Sequence, residues 1–288
     1  MILFLLSIIC SVTVSVLLKL AKRYHISVPQ AITWNYLTAM VASWFLFKPD
    51  VTALSNPQSF DITLSLAFLL PSVFWLLGAS VRNSGIVRTD IAQRLSLFIS
   101  ILGAFFLFDE RFNSLKWMGL ATGLAAICLT VYRPEKVARG NNNWIYPLLV
   151  FFGYGVIDLL FKRMALIQDR PYTTSLFVVF CASFLVSMIA LIIMIVRRKT
   201  RLQLINFFCG IVLGLFNLGN IVFYLKAHRA FAGNPSTVFA TMNFGVIALG
   251  TIVGIFIFRE RLSKLNYAGL ALAIVSIVLI TLSQIYAV

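Results

Sequence analysis

Asp158 is the one carboxylate set well inside an apolar run, GYGVIDLLFKRMAL, and Lys162 follows it by four residues. On a helix that interval puts both on one face, where they can pair. A charge in hydrocarbon costs at least about 2.5 kcal/mol and so faces a partner, a cavity or a pathway. Two readings follow. Protonation of Asp158, or a substrate binding there, would release Lys162 and make the pair a coupling site. Alternatively the pair is a static bridge, with Lys162 snorkelling to headgroups.

Gln93 and Arg94, in TDIAQRLSLFIS, offer an amide and a guanidinium fork suited to a carboxylate or phosphate. The bland reading ties Arg94 to Asp90 as an interfacial anchor. Lys19 is a further cation, late in the first apolar run. Asn217, Asn220 and Tyr224 recur at intervals of three and four, so they form one polar stripe that reads as a water-accessible wall. Asn35 and Asn243 are lone amides, for which helix-to-helix hydrogen bonding competes with substrate contact. Trp75 follows Pro71 by one turn, and a proline inside a helix frees a carbonyl and bends the chain, as a static kink or as a gate hinge.

These residues need helices long enough to cross a bilayer, and the composition supplies them. Sixty per cent of the 288 residues are apolar and 11% charged, far from the roughly 45–50% and 25% of soluble domains. Ten apolar segments emerge, at about 2–20, 29–47, 62–82, 90–108, 116–132, 144–162, 173–196, 203–225, 237–258 and 267–286. The first has neither a basic leader nor a small-residue cleavage site and reads as a retained span. The net charge of +15 is scattered between apolar runs rather than gathered in a stripe, which fits headgroup contacts and not nucleic acid. Four cysteines, all inside apolar runs, read as packing residues, and no metal or nucleotide motif is present. ATP-driven transport by this chain alone is thereby excluded, and no cofactor is expected.

The sequence repeats itself. FDERFNSLKWMGLATGLAAICL from Phe108 aligns with FRERLSKLNYAGLALAIVSIVL from Phe258, identical at Phe108/Phe258, Glu110/Glu260, Arg111/Arg261, Leu115/Leu265, Gly119/Gly269, Leu120/Leu270, Ala121/Ala271, Ile127/Ile277 and Leu129/Leu279. Unrelated apolar segments of this length would share roughly two positions. A fainter echo links Lys19 in VLLKLAKR to Lys162 in DLLFKRMA. The expected fold is all-α and polytopic, with residues 1–137 and 138–288 as two five-helix repeats. Because five is odd, the second copy would lie inverted, the arrangement of alternating-access carriers. The Glu-Arg pairs read as caps or interfacial bridges. Gly119/Gly123, Gly210/Gly214 and Gly250/Gly254 read as faces for close helix contact, and Trp34, Trp44, Trp117 and Trp144 as an interfacial belt.

A Glu-Arg pair closing a span, a short link, then an aromatic, a Gly and another span, once per half, resembles the bacterial ten-helix drug/metabolite transporter superfamily. So do the late lysine of the first span and GNPSTVFA before the ninth. The resemblance implies a secondary transporter of the bacterial inner membrane. Trp34-Asn35-Tyr36 stands where many relatives have Arg-Phe, so no arginine role carries over there. The resemblance also implies cytoplasmic termini, whereas the Lys and Arg excess after the odd-numbered spans places them outside.

The expected activity is alternating-access movement, with export as the candidate direction, of a small metabolite carrying a carboxylate or phosphate, because Lys19, Arg94 and Lys162 outnumber Asp158 within the spans. The expected substrate-binding set is Lys19, Asn35, Trp75, Gln93, Arg94, Asn217, Asn220, Tyr224 and Asn243, with Asp158 and Lys162 as the coupling pair. Protons are the candidate coupling ion and the bilayer the obligate partner, for a monomer or homodimer. The alternatives are a proton-coupled multidrug or cation exporter, a lipid-carrier flippase and, last, a membrane enzyme, for which a carboxylate or histidine cluster is missing.

Overall fold

A computed structural model describes residues 2–24, 26–49, 60–84, 86–131, 144–167, 171–197, 200–258 and 263–285, without the side chains of 21–23, 81–82, 86–88, 90–91, 130–131, 258 and 284–285. The described chain is helical throughout, as α1 (Ile2–Arg23), α2 (Val28–Phe47), α3 (Phe60–Ser84), α4 (Ile86–Leu95), α5 (Leu97–Leu107), α6 (Ser114–Val131), α7 (Ile145–Leu166), α8 (Tyr172–Val196), α9 (Leu204–Ala230), α10 (Pro235–Phe258) and α11 (Lys264–Ile285). Among them α1, α3 and α7 to α11 are long and apolar enough to cross a membrane. Their outer faces expose large apolar side chains such as Leu204, Val196 and Phe256, the mark of contact with lipid.

The expected fourth span is not continuous. It breaks at Ser96 into α4 and α5. The Ser96 hydroxyl donates to the Gln93 carbonyl at 2.6 Å, and the Ile99 N–H turns to the Ser96 carbonyl three residues back. A serine competing for its own helix's carbonyls bends the helix, and the apolar count alone did not register that.

The chain forms two compact units, each drawing on both sequence halves. Unit 1 comprises Met1–Ile9, Leu76–Leu159 and Ala230–Val288, and unit 2 comprises Cys10–Trp75 and Leu160–Arg229. In unit 1 the core is built on α6 against α11, flanked by α10, α5 and α4. These two helices, copies of one another in sequence, run antiparallel. Asn113, before α6, donates its amide to the carbonyl of Ser283 near the end of α11. Reciprocally, Asn266 at the start of α11 donates to the carbonyl of Leu129 at the end of α6. Between these ends Gly119 lies against Ile280 and Gly123 against Ser276 and Phe244, where a Cβ would collide with them.

In unit 2, α2 packs antiparallel on α8, with Thr33 donating to the Ser187 carbonyl at one end and Trp44 stacking on Phe177 at the other. Along α9 it runs parallel. Gly210 meets Trp34, and Gly214 meets the Asn35 carbonyl so closely that a Cβ would stand 2.7 Å from that oxygen. Trp34 therefore packs inward on Phe207 instead of joining the belt, while Trp44, Trp117 and Trp144 are exposed. No described residue comes within 4 Å of a Cβ placed at Gly250, so at that position the expected close helix contact is not seen among the described residues. Pro71 sits inside α3 and frees the carbonyl of Ala67 four residues back. The Ser183 hydroxyl on α8 takes up that carbonyl at 3.1 Å.

Candidate functional site

Polar chemistry in unit 1 gathers along α5 and α7. These run parallel, with Gly155 against Ile99 and Gly103 against Leu159. That register brings the buried Ser100 hydroxyl to Asp158, donating to Oδ2 at 2.9 Å. A carboxylate in an apolar helix is thus met by a neutral donor on α5. Gln93 and Arg94 occupy the last turn of α4, half-buried. The side chain of Asp90, the partner expected for Arg94, lies outside the described residues. Asn243 on α10 donates to the Phe239 carbonyl of its own helix at 3.0 Å.

Unit 2 holds the polar stripe of α9. Asn217 and Tyr224 are buried and Asn220 is half-buried. The stripe continues one turn further to His228, whose ring stacks edge-on against Tyr224, with centroids 4.6 Å apart. Phe161 of α7 packs on the same tyrosine. Beside it, Lys162 is wholly buried and donates to the His228 carbonyl at 3.5 Å. Lys162 therefore does not snorkel to headgroups. The side chain of Asn35 is also buried, and its Oδ1 and the Nε1 of Trp75 have no hydrogen-bond partner among the described residues. Lys19 is exposed on α1.

The structure thus brings Asp158 to Ser100 in one unit and Lys162 to the Tyr224–His228 end of the stripe in the other. Sequence reasoning missed Ser100 and His228. The signal for His228 was present, since 217, 220, 224 and 228 share one helix face, but its position near a loop argued against it. No group of His, Cys, Asp and Glu able to hold a metal ion occurs among the described residues.

A third cluster was read too simply. Asp109 takes a left-handed backbone, φ 49°, and beyond it Glu110 turns inward, 4% exposed. Its carboxylate accepts the N–H and the hydroxyl of Ser236, each at 2.7 Å, at the start of α10, and pairs with the buried Lys116. Lys116 also donates to Asn234 at 3.2 Å. An acid at a helix N-terminus meets unsatisfied N–H groups and the positive end of the dipole. Glu110 is therefore a cap, but of a helix 126 residues away. Its repeat counterparts Glu260 and Arg261 lie outside the described residues.

Three comparisons bear on this arrangement. The model of the EamA-like transporter family matches residues 1–132. An uncharacterized protein of Haemophilus influenzae is 42% identical over 279 residues, 94% of either chain. A solved crystal structure is similar over 98% of this chain and 96% of its own, with a TM-score of 0.73 and 14% identity, a likeness that speaks for the fold alone.

Proposed function

The chain belongs to the EamA-like transporter family of the drug/metabolite transporter superfamily and is a multi-pass membrane protein; from that premise we propose that it is a secondary carrier built of two inverted five-helix repeats, moving a small metabolite with a carboxylate or phosphate by alternating access. The observation that carries the inversion is the antiparallel seam of α6 and α11: repeated sequence, with the start of each helix bonded to the end of its copy. A carrier whose halves are related in this way has two facing states of nearly equal energy, which alternating access requires.

The anionic substrate is supported by Lys162, a lysine held wholly inside unit 2. Its ammonium can hold a carboxylate or phosphate by a charge-assisted hydrogen bond. On this reading Asn35 and Trp75 supply polar atoms for the same substrate, because buried groups without a protein partner call for one. The α9 stripe of the same unit orients it. Asp158, held by Ser100, is the proton-coupling group. Its protonated and ionised forms bond that hydroxyl differently, and the α4–α5 break lets the fourth span respond.

Uptake into proteoliposomes by amino acids, organic anions, phosphorylated metabolites and lipophilic cations tests the proposal. Anions are expected to move, driven by a pH gradient in the wild-type chain and indifferent to it in Asp158→Asn. Transport confined to lipophilic cations would overturn the substrate class. An unchanged pH response in the variant would remove Asp158 from coupling.

A further inference from the structure

Unit 2 carries a concavity. A crevice of about 310 Å³ opens sideways between the end of α1 and the first turns of α2 and α9, lined by Leu17, Leu20, Ile26, Ala31, Phe208 and Val212 among others. That is at the small end of ligand sites. Among the described residues its lining is apolar but for Tyr24 and carries no charge. A polar metabolite would lose its hydration there and gain no hydrogen bonds. A hydrocarbon chain loses nothing, and the face around the crevice, with Leu202, Leu204, Ile205 and Phe208 exposed, already meets hydrocarbon.

In the sequence, residues 17–31 and 197–213, which include the lining residues and the stretches leading into them, contain Lys19, Lys22, Arg23, Arg197, Arg198, Lys199 and Arg201, and no Asp or Glu. Three of these cations, Lys19, Arg197 and Arg201, have described side chains, all exposed. Lys19 is exposed between the lining residues Leu18 and Leu20. Arg201 is exposed, and its carbonyl accepts a 2.7 Å bond from Gln30, the neighbour of the lining residue Ala31. That bond belongs to a buried network in which Asn206 also bonds Gln30 and the N–H of Ser27, so the rim has a fixed shape. Such a crevice, greasy inside and cationic at one end, matches one molecule of the surrounding bilayer.

We infer that unit 2 holds an anionic glycerophospholipid, one acyl chain in the crevice and the headgroup phosphate at Lys19 and Arg201. The test is native mass spectrometry of the full-length protein in detergent, titrated with dioleoyl phosphatidylglycerol and with dioleoyl phosphatidylcholine. Phosphatidylglycerol is expected to bind at least about tenfold more tightly, since each cation near an anionic headgroup is worth about a factor of five. Two surface changes together, Lys19→Gln and Arg201→Gln, should erase that preference and leave both lipids bound alike. Val212→Trp, which fills the crevice from its lipid side, should weaken both lipids about tenfold. Equal binding of the two lipids to the wild-type chain would overturn the headgroup assignment, as would a preference that survives the double substitution. Unchanged lipid binding in a folded Val212→Trp protein would overturn the crevice.

Discussion

Among the described residues two lysines are buried, and they sit in different surroundings. Lys116, in unit 1, rests on the Glu110 carboxylate and the Asn234 side-chain oxygen, and the same carboxylate caps α10 through Ser236. Lys162, in unit 2, reaches the His228 carbonyl at the limit of hydrogen-bond distance, beside Tyr224 and Phe161. The charge of Lys116 is spent within the fold, matched by an anion that is itself matched by a helix end. On the proposed function, Lys162 serves an anion that comes and goes.

The comparison breaks most severely at Glu110. Glu110→Ala removes the carboxylate from Lys116 and the cap from α10 at once, leaving a buried cation with one amide oxygen. Loss of one member of a buried pair costs about 3–5 kcal/mol, so the melting temperature in detergent should fall sharply, or the protein should fail to accumulate. If Glu110→Ala melted like the wild type, the cluster would have no structural role and the contrast with Lys162 would disappear.

Lys162→Met sharpens it from the other side. A methionine fills most of the same space without the charge, so thermal stability should hold or rise, while anion uptake should weaken by the value of a charge-assisted hydrogen bond, about 1.5–3 kcal/mol, roughly 10- to 150-fold in apparent affinity. Wild-type uptake by a stable Lys162→Met protein would strip Lys162 of its substrate role.

Sequence alone reached most of this architecture and only part of the site. Spans are legible because hydrocarbon imposes length and apolarity on contiguous residues, and the repeat is legible because its copies align without gaps. The bond from Glu110 to Ser236 is not, since nothing local distinguishes a carboxylate that turns to headgroups from one that crosses to a distant helix. Ser96 and Ser100 look alike in SLFIS, yet one breaks its helix and the other meets Asp158. Pattern named the face of α9 and left open what covers it. Asn266 shows the same limit in the repeat: it aligns with Lys116, but its Oδ1 accepts the N–H and hydroxyl of Ser263 to start α11, and its amide clasps Leu129. Losing that cap in Asn266→Ala should cost about 1–2 kcal/mol, well short of Glu110→Ala. An equal loss would mean that the two copies bear the same load.

The smallest effect expected concerns the kink of α3. Pro71 withholds an N–H from the Ala67 carbonyl, and Ser183 supplies a hydroxyl in its place. With that substitute bond the bend is held by α8, as a fixed feature of unit 2, rather than being free to flex beside Trp75. Ser183→Ala removes the hydroxyl and leaves the carbonyl unanswered, at a net cost of about 0.5–1.5 kcal/mol, read as a small drop in melting temperature. Uptake separates the two meanings of the kink. If the bend is static, turnover in Ser183→Ala should stay near the wild-type rate while stability falls. If it is a hinge that must open, releasing the carbonyl should change the rate at which the carrier changes its facing, and turnover should shift even where stability barely does.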